Sequence, residues 1–198
     1  MALTTTSDII EKFELFIGDS TELSSSEELD LCQKIYNKIL ASEEWEFLKK
    51  EATGTIAGTD ITKPTDFDRF TSDQTIYLGT KYSPRTMIPF QSRRDFTNQK
   101  GYFYYDVRQG KFVFTASESD TYSYDYIMVP PLLDTTSSNP LLPTRFYDAI
   151  YHGMCVDADI INLSDKARSY AQLNQNKYDS ILADAKAWNK SISGYNHY

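Results

Sequence analysis

The chain is short of the residues that most often carry chemistry. It has two cysteines, Cys32 and Cys155, and two histidines, His152 and His197, in 198 residues. Two cysteines do not make a disulfide scaffold, and their separation in sequence says nothing about pairing. Two histidines leave a multi-histidine metal site without material, so no metal and no cofactor is expected. Long apolar runs are missing as well, and none approaches the ~18 residues of a membrane span. The first residues, MALTTTSDIIEKF, lack both a basic stretch and a continuous apolar core, which predicts no secretory signal and synthesis in a cytoplasm. Positive charge is also scarce, with 20 basic against 28 acidic residues and a net charge of −8. A protein built to grip phosphate backbones carries the opposite balance. There is no P-loop, no His-Glu-x-x-His, no Cys-x-x-Cys and no Gly-x-Ser-x-Gly.

What is present is a folding composition: 40% hydrophobic and 14% aromatic residues, enough for a sizeable core. Periodicity divides the chain into helical, β-like and helical thirds. Ile9, Ile10, Phe13, Phe16 and Ile17 share a helical face behind Ser7 as N-cap, and Gly18 ends it. Ser25-Ser26-Glu27-Glu28 reads as a capping box opening a second helix, whose inward positions are Cys32, Ile35, Tyr36, Ile39 and Leu40. A short turn carries Trp45 and Leu48. From residue 52, glycines and prolines punctuate runs of Thr, Tyr and Phe, the pattern of strands joined by turns. Tyr102–Val107 and Lys111–Thr115 pair as a hairpin, and a further strand spans Tyr122–Val129 before Pro130-Pro131. Pro143 suits a helix start; Tyr147, Ile150, Tyr151, Met154, Ala158 and Ile161 make a stripe. Ser164-Asp165 restarts a last helix facing inward with Ala167, Tyr170, Ala171, Tyr178, Ile181, Leu182, Ala185 and Trp188.

The fold expected from this is α+β: a bundle of N- and C-terminal helices (1–51 and 143–190) with an inserted antiparallel β-region (52–142) and a free tail (191–198). Charge follows the same division. Residues 1–51 hold five basic and twelve acidic residues, whereas the remainder is almost neutral.

Candidate chemistry is thin. His152 shares a helix with Asp148, Cys155 and Asp157, but buried, hydrogen-bonded histidines are common and no oxyanion partner accompanies this one. His197 lies in the expected tail. Glu43, Glu44 and Glu46 cluster, as do Asp157 and Asp159; such groups near helix ends are ordinarily solvated. Catalytic residues are therefore assigned nowhere. Arg93-Arg94, with Arg85 and Lys81 upstream and Tyr82, Phe90 and Phe96 interleaved, is the one basic concentration. It reads as a partner surface ahead of a nucleic-acid strand. The tyrosines at 102, 104, 105, 122, 124 and 126 suit sheet faces, some of them as subunit contacts.

The order of these elements resembles a family. Leu-Cys-Gln-Lys-Ile-Tyr-Asn-Lys-Ile-Leu followed by Glu44-Trp45-Glu46-Phe47-Leu48, then Lys63-Pro64-Thr65-Asp66-Phe67-Asp68-Arg69, is similar to the first long helix and β-region entry of tailed-phage head-to-tail connectors. Tyr102-Phe103-Tyr104-Tyr105 through Phe112-Val113-Phe114, Tyr126–Leu133, Asn139–Pro143 and Lys177–Asp184 resemble the family's hairpin, return and last helix. The segment Ser7–Ile17 has no counterpart. The resemblance implies a non-enzymatic virion protein of the neck: an adaptor assembled in the host cytoplasm into a ring of about twelve copies beneath the portal. The ring would join capsid to tail and continue the channel through which DNA passes, unheld, at genome ejection. Its partners would be the portal protein, tail or nozzle proteins and itself, with no membrane. By the same analogy Ser191, Ile192, Tyr195 and Tyr198 would dock on the portal, while Arg85, Arg93, Arg94, Tyr102 and Tyr104 would form a subunit or tail interface. Two other readings stand beside it. One is a virion-associated peptidoglycan hydrolase using Glu43, Glu44 or Glu46; the other is a host-surface-binding tail module built on residues 52–142.

Overall fold

Thr5 and Ser24, each serving as an N-cap, set where the first two helices begin. In the computed structural model, which describes residues 3–18, 23–79, 83–135, 138–160 and 168–193, α1 spans Thr6–Ile17 and α2 spans Ser25–Leu40. The Thr5 hydroxyl accepts from the Asp8 amide at 3.1 Å while the Asp8 carboxylate accepts from the Thr5 amide at 2.9 Å. Ser24 and Glu27 repeat the arrangement on α2. Both starts differ from the expected Ser7 and Ser25–Glu28. Asp8 rather than Ser7 has the reach to close a box on Thr5, and Glu28 faces inward, leaving Glu27 to serve the cap. Gly18 ends α1 at φ +78, a left-handed conformation that glycine adopts without a Cβ penalty.

The chain divides into two compact units, one of residues 1–47 and 131–198 and one of residues 48–130. In the helical unit, α3 (Tyr147–Ile160) packs against α1, α2 and α4 (Ala171–Ser193). A 3₁₀ turn at Thr144–Phe146, with Pro143 at its N-cap, leads into α3. Ile9, Phe13, Ile35, Tyr36, Ile39, Trp45, Ile150 and Met154 are fully buried, as the apolar periodicity predicts. Gly153 is where backbone meets side chain. A Cβ there would lie 2.5 Å from the Ile35 Cγ2 and 3.2 Å from the Tyr178 ring.

The second unit contains a six-stranded sheet: β1 (Lys49–Thr62), β2 (Phe67–Phe70), β3 (Thr75–Leu78), β4 (Ser83–Met87), β5 (Tyr102–Asp106) and β6 (Lys111–Met128). β6 pairs with β3, β3 with β4, β4 with β5, and β5 again with β6, so four strands close into a small barrel. β1 and β2 are added to β6 outside that ring. β6 closes both seams, through Phe103↔Phe114 at one end and Leu78↔Tyr122 towards the other. Ile76, Leu78, Phe103, Phe112, Phe114 and Tyr124 fill the interior together with Phe67 and Ile56. The Phe112 ring sits 4.8 Å from Phe70, 5.2 Å from Phe67 and 5.4 Å from Tyr124.

This corrects the expected architecture. A helical bundle with a β-insertion would place the organising core among helices, whereas here the sheet closes on an aromatic core of its own. The sheet is not purely antiparallel either, because β4 and β5 run parallel through Thr86↔Tyr102 and Met87↔Phe103. Tyr122–Val129 is no separate strand but the end of the 18-residue β6. Residues 191–193, expected in a free tail, are helical, since α4 continues through Ser193, and residues 194–198 lie outside the described residues. Ala167, Ile161 and the Ser164-Asp165 restart lie outside the described residues.

Candidate functional site

The cluster around His152 is resolved by its partners. His152 is buried, and its Nδ1 lies 3.0 Å from the Asn174 Oδ1, across from α3 to α4. Burial lowers its pKa from the ordinary 6.5. Asp148 is held by Lys12 at 2.5 Å and Asp157 by Lys34 at 2.5 Å, so the carboxylates near His152 turn to different cations. Both cysteines are buried and neither is in a disulfide; burial pushes the Cys32 thiol up to about 12, far from the thiolate a nucleophile needs. Among the described residues no group of three or more His, Cys, Asp or Glu is placed to hold a metal ion.

Glu43, Glu44 and Glu46 lie on the turn after α2, and that turn is pinned by Asn189. The Asn189 Nδ2 donates to the Glu44 carbonyl at 2.8 Å, and its Oδ1 accepts from the Glu46 amide at 2.8 Å. Trp45 is buried beside them, its indole N–H donating to the Ile39 carbonyl at 3.1 Å. Asp159 has no described side chain, and His197 lies outside the described residues.

The most perturbed carboxyl among the described residues is one that the sequence offered only as a capping partner, not as a candidate site. Glu28 on α2 is only 2% exposed, and among the described residues its Oε1 has no hydrogen-bond partner. Burial, then the charge of Glu14 on α1 and a hydrogen bond to it, push the Glu28 carboxyl up to about 7. Hydrophobic periodicity passes over this pair because a glutamate at an inward position counts only as a mismatch.

The basic residues prove to be of different kinds. Arg85 on β4 donates through Nε to the Glu118 carboxylate of β6 at 2.8 Å, with the two side chains only 12% and 8% exposed. Its Nη1 donates to the Ser83 hydroxyl at 2.9 Å. Arg85 is therefore spent inside the sheet unit. Arg93 and Arg94 close a 3₁₀ turn, Phe90–Arg94, that precedes β5. The Arg93 guanidinium lies 3.8 Å from the centre of the Phe90 ring and donates to the Phe90 carbonyl at 2.8 Å. Arg94 is exposed, and among the described residues its guanidinium has no ion-pair partner. Phe90 meets Tyr104 edge-on at 5.6 Å, and Phe96 packs on Tyr102 at 4.6 Å. The structure so brings Arg93, Arg94, Tyr104, Thr97, Phe114 and Thr115 around one cleft of about 250 Å³. Thr97 and Thr115 were not foreseen, and their hydroxyls donate to backbone carbonyls of the same loop. Lys81 and Tyr82 lie outside the described residues.

At the C-terminus, Ser191 is in α4 with its hydroxyl donating to the Trp188 carbonyl at 2.7 Å, and Ile192 is half-buried in the same last turn. Tyr195 and Tyr198 lie outside the described residues. No helix among the described residues is long and apolar enough to cross a membrane.

Comparison with known proteins gives one relationship. No curated protein matches the chain. The family model described as SU10 adaptor protein matches residues 4–195, which takes in both units and also α1, the helix for which the resemblance offered no counterpart. The chain therefore belongs to the SU10 adaptor protein family, a family of phage head-to-tail adaptors, and is a structural component of the virion.

Proposed function

We propose that this adaptor forms a ring of about twelve copies beneath the portal, joining capsid to tail and continuing the channel for DNA. The observation that carries the reading is the family match over residues 4–195. The distribution of charge supports it. The helical unit holds nine basic and eighteen acidic residues, while the sheet unit holds eleven and ten. An acidic unit beside a channel repels a sliding polyanion instead of holding it. In this reading the copies are monomeric alone and assemble on the portal, with Ser191, Ile192, Tyr195 and Tyr198 as the portal-docking residues.

Sedimentation and electron microscopy of the protein alone and with its purified portal test this. The expected result is a single-copy species for the dilute protein alone and a ring of closed symmetry on the portal. Absence of a ring in both conditions refutes it, and removal of residues 194–198 without loss of portal binding refutes the docking assignment for Tyr195 and Tyr198.

A further inference from the structure

We infer that Phe90, Arg93 and Arg94 form a knob that seats on the outer face of α2 in a second copy. The inference rests on the ring reading, because it names the contact by which one copy meets the next. The knob has the composition that carries binding energy, an aromatic ring with a stacked guanidinium and a second free one. Phe90 is 38% exposed, an unusual position for a phenylalanine that already has Arg93 stacked on one face at 3.8 Å. The opposite surface is on the helical unit. Leu23, Glu27, Asp30 and Leu31 line a hollow of about 280 Å³ along α2, with Lys34 and Asp157 at its end. Glu27, Asp30 and Leu31 are spaced i, i+3 and i+4 and share one helix face. Lys34 and Asp157 already pair at 2.5 Å, and one Glu27 oxygen serves the Ser24 cap. That leaves Asp30, exposed and with no ion-pair partner among the described residues, and the second Glu27 oxygen facing outward.

Size and charge then match. A hollow of this volume floored by two leucines admits one phenyl ring, and the two carboxylates at its lip meet two guanidinium groups. The partner is an acidic protein face, not phosphate, because the acidic surplus of this chain is confined to the unit that carries the hollow. The contact is heterologous: knob and hollow are different surfaces, so each copy offers one of each, as the head-to-tail contacts of a ring require. Arg85 has no part in it, since Glu118 already holds it.

Charge reversal at each side tests the contact. Arg94→Glu and Asp30→Arg are both exposed substitutions in different units, and far-ultraviolet circular dichroism checks that each variant folds. Self-association is measured by sedimentation at high protein concentration and low salt, and ring formation on the portal by electron microscopy. Wild type is expected to associate, each variant alone to lose association at least tenfold, and an equal mixture of the two variants to recover it, because the mixture again presents an arginine to an aspartate. Added salt at 0.5 M should weaken the wild-type contact. Rings that form on the portal with Arg94→Glu as readily as with wild type overturn the contact and leave the ring reading intact. If wild type associates under neither condition, both fall. Binding of a short DNA duplex that is lost in Arg94→Glu, with association unchanged, assigns the knob to phosphate and also overturns the contact.

Discussion

Replacing Glu28 by glutamine should remove the fall in the helical unit's stability that its carboxyl imposes as pH rises. In the folded chain the Glu28 carboxyl titrates at about 7, against an ordinary 4.5. One pKa unit is worth ~1.4 kcal/mol, so the full displacement sets a ceiling of about 3 kcal/mol. An unfolded state that already ionises at pH 5 brings the expected change between pH 5 and pH 8 down to about 2 kcal/mol. The sign follows from proton uptake. Between 4.5 and 7 the folded state holds the proton more tightly than the unfolded one, so wild-type stability falls as pH rises through that window and levels off above it. His152 acts the other way. Its pKa is lowered from 6.5 by burial, so its contribution is present above 6.5 and is lost as pH falls. A wild-type curve alone mixes the two, and the difference between wild type and Glu28→Gln isolates the carboxyl. Trp45 and Trp188 both lie in the helical unit, so urea denaturation followed by tryptophan fluorescence reports that unit. The advantage of Glu28→Gln over wild type should widen by about 2 kcal/mol from pH 5 to pH 8. Parallel curves for the two proteins would refute the reasoning.

Two further substitutions probe the helical unit with the same assay. Asn189→Ala removes both 2.8 Å bonds that pin the turn at Glu44 and Glu46, leaving a carbonyl and an amide without that partner. It should cost about 2 kcal/mol, and a loss under ~0.5 kcal/mol would show that water replaces the side chain freely. Gly153→Ala gains about 1 kcal/mol of helix propensity but drives a methyl to 2.5 Å from Ile35. A net loss of about 1–2 kcal/mol is expected, and an unchanged or raised stability would mean that Ile35 yields at no cost.

Much of the helical unit was legible because its apolar spacing is regular; Cys32, Ile35, Tyr36 and Ile39 were readable as an inward face from residue type alone. The capping box was misplaced by one residue for a reason visible in the sequence. The stretch Ser24-Ser25-Ser26-Glu27-Glu28 offers two registers with a serine three residues before a glutamate, and only the burial of Glu28 decides between them. The sheet was harder. Ser117–Asp120 is polar and reads as a break, yet Glu118 and Asp120 stand opposite Gly58 and Ile56 in the ladder and make β6 one strand. Barrel closure depends on β4 meeting β5 in parallel, a pairing that no local pattern announces. The Arg85–Glu118 bond spans 33 residues, so an arginine read as a partner contact turned out to belong to the interior. Arg93 and Arg94 escaped that fate because a short 3₁₀ turn holds them at the surface.

The pairing of Lys49 with Ile127 has a mechanical consequence. Both ends of the sheet unit leave from the same rung of the β1–β6 ladder. Tension applied through the two chain ends therefore opens that ladder like a zipper, one hydrogen-bonded rung after another, rather than shearing all of them at once. The barrel seam at Leu78↔Tyr122 sits opposite Gly54, five residues in from Lys49, so the first rungs yield before the closed ring bears any load. A sheet unit attached by these two ends is weakest when they are pulled apart.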